Sequence, residues 1–122
     1  MNFKAWTCGL VLAVAGCDDE VADITDRQSD AVKAAVDASC DRYEECNKIG
    51  TAQDAVYATR DECEVETRDF WNSQWPAAEC EGKINGDGLS TCTDRIKTTD
   101  CDNFIDQLTT AYQTCNREDV CR

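Results

Sequence analysis

Residues 101–115, CDNFIDQLTTAYQTC, decide the fold. Within them Cys101, Phe104 or Ile105, Leu108, Ala111 or Tyr112, and Cys115 recur at steps of three and four, which is the period of one apolar stripe along an α-helix. The stripe opens and closes on cysteine, so the face that packs also carries sulfur to its neighbours. No part of it alternates as a half-buried strand would.

The same period returns on moving outward. Val32, Val36, Cys40, Tyr43 and Cys46 form a first stripe, with Gly50 as its expected stop. Thr59-Arg60-Asp61-Glu62 is a capping-box pattern in which Thr59 caps a backbone amide and Glu62 reaches back. The helix it opens carries Cys63, Thr67, Phe70, Trp71 and Gln74, and Pro76 ends it. Leu89, Cys92 and Ile96 mark a shorter third helix. The expectation is an all-α, disulfide-stapled domain of about four helices spanning residues 28–122.

Eight cysteines lie on or beside these stripes: Cys40, Cys46, Cys63, Cys80, Cys92, Cys101, Cys115 and Cys121. An even number in a short exported chain reads as four disulfides. Zinc would want ligands paired two to four residues apart, often with histidine. Here the gaps are 5, 16, 16, 11, 8, 13 and 5 residues, and there is no histidine. C-x-x-C is also absent, so thioredoxin-type chemistry lacks its motif. Cys40 and Cys46 point about 240° apart on a helix and should take different partners. Spacing alone does not choose among about 105 pairings; Cys46 with Cys63, closing the loop between the first two helices, is the expectation.

Residues 1–16 read as a secretory leader: Lys4, then an uncharged apolar run from Ala5 to Ala15, then Gly16. That run is far short of the ~20 residues a spanning helix needs. Val14-Ala15-Gly16-Cys17 resembles the lipobox of bacterial lipoproteins, which makes Cys17 the lipid-bearing first residue of the mature chain, with palmitate-type acyl groups holding it on the membrane. Cys8 falls inside the leader. Residues 17–27 then form a lipidated N-terminus and acidic tether, and the whole is expected in the bacterial envelope, facing periplasm or cell surface. The mature chain carries 11 basic against 25 acidic groups. Nucleic acid and anionic lipid both want clustered Lys and Arg, so neither is an expected partner of the polypeptide.

Catalytic chemistry finds little purchase. Without histidine there is no Ser-His-Asp or Cys-His arrangement. Asn85-Gly86-Asp87-Gly88 has the glycine and two ligands of a calcium loop, but Lys83 stands where the first carboxylate belongs. It reads instead as a turn leading into the third helix, and no metal or cofactor is expected. The aromatic run Phe70-Trp71-Asn72-Ser73-Gln74-Trp75 is either core or a binding surface. One stripe does not easily bury all three rings, so Trp71 and Trp75 are the candidate binding residues.

Four stretches carry a resemblance. They are Cys40-Asp41-Arg42-Tyr43-Glu44-Glu45-Cys46 with Ile49-Gly50, Tyr57-Ala58-Thr59-Arg60-Asp61-Glu62-Cys63, Trp75-Pro76-Ala77-Ala78-Glu79-Cys80, and Cys92 to Cys101. Together they resemble a family of small cysteine-rich bacterial lipoproteins that go by the label of natural-product-biosynthesis lipoproteins. The resemblance implies that association and no catalytic residue. The functional expectation is a lipid-anchored, non-enzymatic binding or scaffold module that meets a protein, peptide or secreted metabolite. A structural envelope lipoprotein without specific ligand is the alternative, and a small secreted enzyme a minor one.

Overall fold

A computed structural model describes residues 26–121. The leader, Cys8, Cys17 and all but the last two residues of the tether lie outside the described residues. Six helices follow: α1 (Gln28–Glu45), α2 (Arg60–Gln74), α3 (Ala77–Cys80), α4 (Gly86–Lys97), α5 (Phe104–Tyr112) and α6 (Arg117–Val120), with a 3-10 turn at Gln113–Cys115. Among the described residues the β-type pairings are two isolated bridges, Ile49 with Tyr57 and Ile84 with Cys121. The four helices expected from the apolar periods are α1, α2, α4 and α5. Two single-turn helices, α3 and α6, were invisible to periodicity because four residues hold barely one turn.

Helix α1 is the centre, packing on α2 along one side and α4 along the other. Its buried face is built of small side chains, with Ala31, Val32, Ala35, Val36, Ala38 and Ser39 all shut away from solvent. Small residues let neighbouring backbones come close, and apart from Tyr43 near the end of α1 the large rings come from the partners: Trp71 of α2, Trp75 just after it, and Phe104 of α5. Arg60 clamps the α1–α2 seam from outside, with Nη1 donating to Asp41 and Glu44 of α1 at 2.7 Å each and Nε to Glu64 at 2.8 Å. Glu64 first, then Asp41, hold its guanidinium above the ordinary value.

Helix ends follow local chemistry, with two corrections. Thr59 accepts from the Glu62 amide at 3.1 Å as expected, but Glu62 reaches back to the Ala58 amide at 2.8 Å, one residue beyond the usual box. Gly50 is not the stop of α1. The helix closes at Asn47 in the left-handed conformation (φ 58°), with Asn47 N–H donating to Glu44 and Lys48 N–H to Tyr43. That pair of bonds is a Schellman closure, and asparagine is the side chain that best tolerates the geometry after glycine. Gly50 (φ 119°) instead turns the following loop, its N–H donating to Tyr57.

All eight cysteines of the described region pair: Cys40–Cys63, Cys46–Cys101, Cys80–Cys121 and Cys92–Cys115. Cys40 and Cys46 do take different partners, but Cys63 goes to Cys40. Cys40 lies on the α1 face that meets α2, where its sulfur also touches the Thr67 hydroxyl at 3.5 Å. Cys46, past the end of the helix and turned well away from that face, meets the loop before α5 instead.

Gly88 owes its place to packing. A Cβ there would land on the backbone carbonyl of Asp119 in α6, whereas one at Gly86 would meet nothing within 4 Å. Gly88→Ala should therefore cost about 1–3 kcal/mol through overpacking, read as a fall in thermal midpoint. Gly86→Ala, in the same helix, should leave the midpoint unchanged or slightly raised.

Candidate functional site

Two surface features stand out, and both are organised by the end of α2. The helix stops at Gln74 because Pro76 follows, and Trp75 leaves helical geometry (φ −123°, ψ 72°). Freed from the helical period, the Trp75 ring swings onto Trp71, with centroids 4.7 Å apart. This is how both indoles come to be fully buried, at 0 % exposure. Trp71 and Trp75 are thus core residues, and the exposed edge anticipated for this aromatic run belongs to Phe70, at 38 %. Phe70 stacks on Tyr112 of α5 at 5.2 Å and meets Trp71 edge-on at 4.8 Å. Tyr112 is the member of the cluster that sequence reading missed. It lies in a different helix, far downstream of both tryptophans, and no local signal links it to them.

The two indoles differ in how they are satisfied. Trp75 Nε1–H donates to the Cys115 carbonyl at 2.8 Å, and the Trp75 carbonyl accepts from Gln28 Nε2 at 2.6 Å. Trp71 Nε1–H finds no acceptor among the described residues. Tyr112 donates its hydroxyl to buried Ser39 at 3.1 Å, and burial pushes its phenol up to about 12. Burial likewise raises Tyr43 and Tyr57.

The second feature is an open groove of about 590 Å³ between the end of α2, α3 and α6. Gln74, Ala78, Glu79, Lys83, Arg117 and Glu118 line it, with Cys121 of the Cys80–Cys121 bridge in one wall. Arg117 is already committed, Nη1 to Glu79 at 2.7 Å and Nε to the Gln74 carbonyl at 3.1 Å. Its lining side chains can hydrogen-bond and pair charge, but every cysteine among the described residues is in a disulfide, so none offers a thiol nucleophile. The Asn85–Gly88 stretch serves as a helix start: Asn85 Oδ1 accepts from the Asp87 amide at 3.2 Å, capping α4. No group of three or more Cys, Asp or Glu side chains among the described residues is placed to hold a metal ion. No helix there is long and apolar enough to cross a membrane.

Fold and surface define a small helical domain stapled by four disulfides. The chain belongs to a family of unknown function, DUF6184, which matches residues 40–122 and so takes in every paired cysteine. No curated protein and no solved structure matches the chain.

The unequal satisfaction of the indoles predicts unequal costs. Trp75→Phe strands a buried carbonyl and should destabilise by roughly 1–3 kcal/mol beyond any packing loss. Trp71→Phe removes a donor that has no acceptor and should cost clearly less; chemical denaturation of the two variants side by side decides it. Tyrosine ionisation gives a pH signature as well. Because the folded state holds the Tyr112 proton above the ordinary value of 10, the unfolded chain loses it first, so stability is intact below pH 10 and falls as pH climbs towards 12. Urea midpoints measured across that range should decline, and Tyr112→Phe should make the decline shallower, with Tyr43 and Tyr57 supplying the remainder.

Proposed function

We propose that the protein is a lipid-anchored, extracytoplasmic and non-enzymatic binding or scaffold module, tethered through Cys17. The observation that carries this reading is the closed disulfide set. The eight cysteines from Cys40 to Cys121 satisfy one another, so the framework has no use for Cys17, which stands directly after Val14-Ala15-Gly16. Four disulfides in one small domain also suit an oxidising compartment. In this reading lipid does the anchoring while Asp18, Asp19 and Glu20 keep the polypeptide off anionic headgroups.

Binding rather than catalysis follows from the residue set, since a chain without histidine lacks the commonest general base. The occupant in this reading is a protein, peptide or secreted metabolite, and an association with natural-product biosynthesis or export is supported by the resemblance of the cysteine framework to natural-product-biosynthesis lipoproteins. The groove beside Arg117 and the Phe70 edge are the surfaces offered to it.

Intact-mass measurement on protein extracted from bacterial membranes tests the anchor. The expected species begins at an acylated Cys17 and carries four disulfides, and Cys17→Ala should move the protein to the soluble fraction. An unacylated chain that leaves the membrane without detergent would falsify the anchor. Cross-linking in intact cells tests the module, and a protein that captures neither a macromolecule nor a metabolite would count against it.

A further inference from the structure

Three of the four disulfides are sealed. Both cysteines of Cys40–Cys63, Cys80–Cys121 and Cys92–Cys115 are buried, none more than 6 % exposed. Cys46–Cys101 differs: Cys46 is tucked in at the end of α1, while Cys101 stands exposed in the turn before α5. Thiol–disulfide exchange requires a thiolate to reach one sulfur of the bond, so access decides which bond reacts and which of its sulfurs is struck.

We propose that Cys101 is a thiol-exchange site, at which a small thiol or the dithiol of an envelope oxidoreductase forms a mixed disulfide. The incoming thiol loses its proton and its sulfur attacks Cys101 Sγ. A new S–S bond forms there, the Cys46–Cys101 bond breaks, and its electron pair leaves on Cys46 Sγ, which takes up a proton. A second thiol then completes the two-electron reduction to free Cys46 and Cys101 with an external disulfide as product. Alternatively Cys46 attacks back and restores the starting bond.

The surroundings fit a reversible exchange rather than collapse. The cross-link joins residues 55 apart, yet α1, α2 and α4 stay tied through the sealed bridges and the core. Two contacts beside the bond do not pass through it: Phe104 edge-on against Tyr43 at 5.0 Å, and Arg42 Nε donating to the Thr99 carbonyl at 2.7 Å. What is released is the turn between Thr99 and α5. It borders a hollow of about 200 Å³ lined by Lys48, Asn103, Phe104, Ile105 and Asp106, and Ile105 is 48 % exposed. Exposed Asp100 and Asp102 are the chain neighbours of Cys101. Like charge disfavours a reagent that carries carboxylates besides its thiolate, so thiols with no other negative charge are the favoured reactants. The site does not depend on the lipid anchor.

The test uses the full oxidised chain, uncharged 2-mercaptoethanol for graded times, acid quenching, maleimide labelling and peptide mapping. The expected result is loss of Cys46–Cys101 at least ten-fold faster than any other bridge, with the mercaptoethanol adduct on Cys101 and the maleimide on Cys46. Opening of a buried bridge first, simultaneous opening of all four, or an adduct on Cys46 would each overturn the proposal.

Discussion

Covalent closure is the constraint on which this fold rests. Each disulfide joins residues 23 to 55 apart in sequence, and on the chain-entropy view each removes roughly 3–4 kcal/mol of freedom from the unfolded chain. The loops overlap, so the values do not add. The need is plain from the core itself. Helix α1, which packs on both α2 and α4, contributes mainly alanine, valine and serine beside the one ring of Tyr43, and the small side chains bury little area apiece. A domain of this size with so few large apolar side chains sits where cross-links are commonly required.

The staples and the aromatic core meet at one place. Trp75 lies between the start of α1, through Gln28, and the Cys115 carbonyl, whose residue is bridged to Cys92 of α4. A single residue, through its indole N–H and its backbone carbonyl, thereby connects four parts of the chain. That role follows from Pro76, which stops α2 one residue early and lets Trp75 turn inward. The same interruption creates α3 and the groove beside it. Packing and surface thus share one cause, a proline at the right position.

The surface the staples leave over is dominated by charge. Asp and Glu crowd the outside, and three arginines among the described residues are engaged: Arg60 by three carboxylates, Arg42 by Thr99 and Glu45, Arg117 by Glu79 and Gln74. Such surface pairs contribute little stability singly. They do tie α1 to α2, α1 to the end of α4, and α6 to α2 and α3.

Much of the fold was legible in residue order, because helical period and capping are local. The stripes through Val32, Cys63, Leu89 and Leu108, the Thr59 cap and the Pro76 stop all depend on neighbours within a few positions. The even set of eight cysteines announced four disulfides for the same kind of reason, a count. Their pairing was not legible: whether Cys63 meets Cys40 or Cys46 depends on which α1 face lies against α2, and that is settled only when the helices pack. The candidate site divides the same way. The sequence showed that Phe70, Trp71 and Trp75 could not all share one stripe. Only packing against Tyr112 and Ser39 decided that both indoles go inside and Phe70 keeps the edge. The close approach of α6 to Gly88, the groove around Arg117 and the exposure of Cys101 all come from contacts between segments far apart in the chain. By itself the sequence determined helix, cap and cysteine count; the tertiary structure alone decided which sulfurs meet and which rings face water, because both are properties of distance across the core and not along the chain.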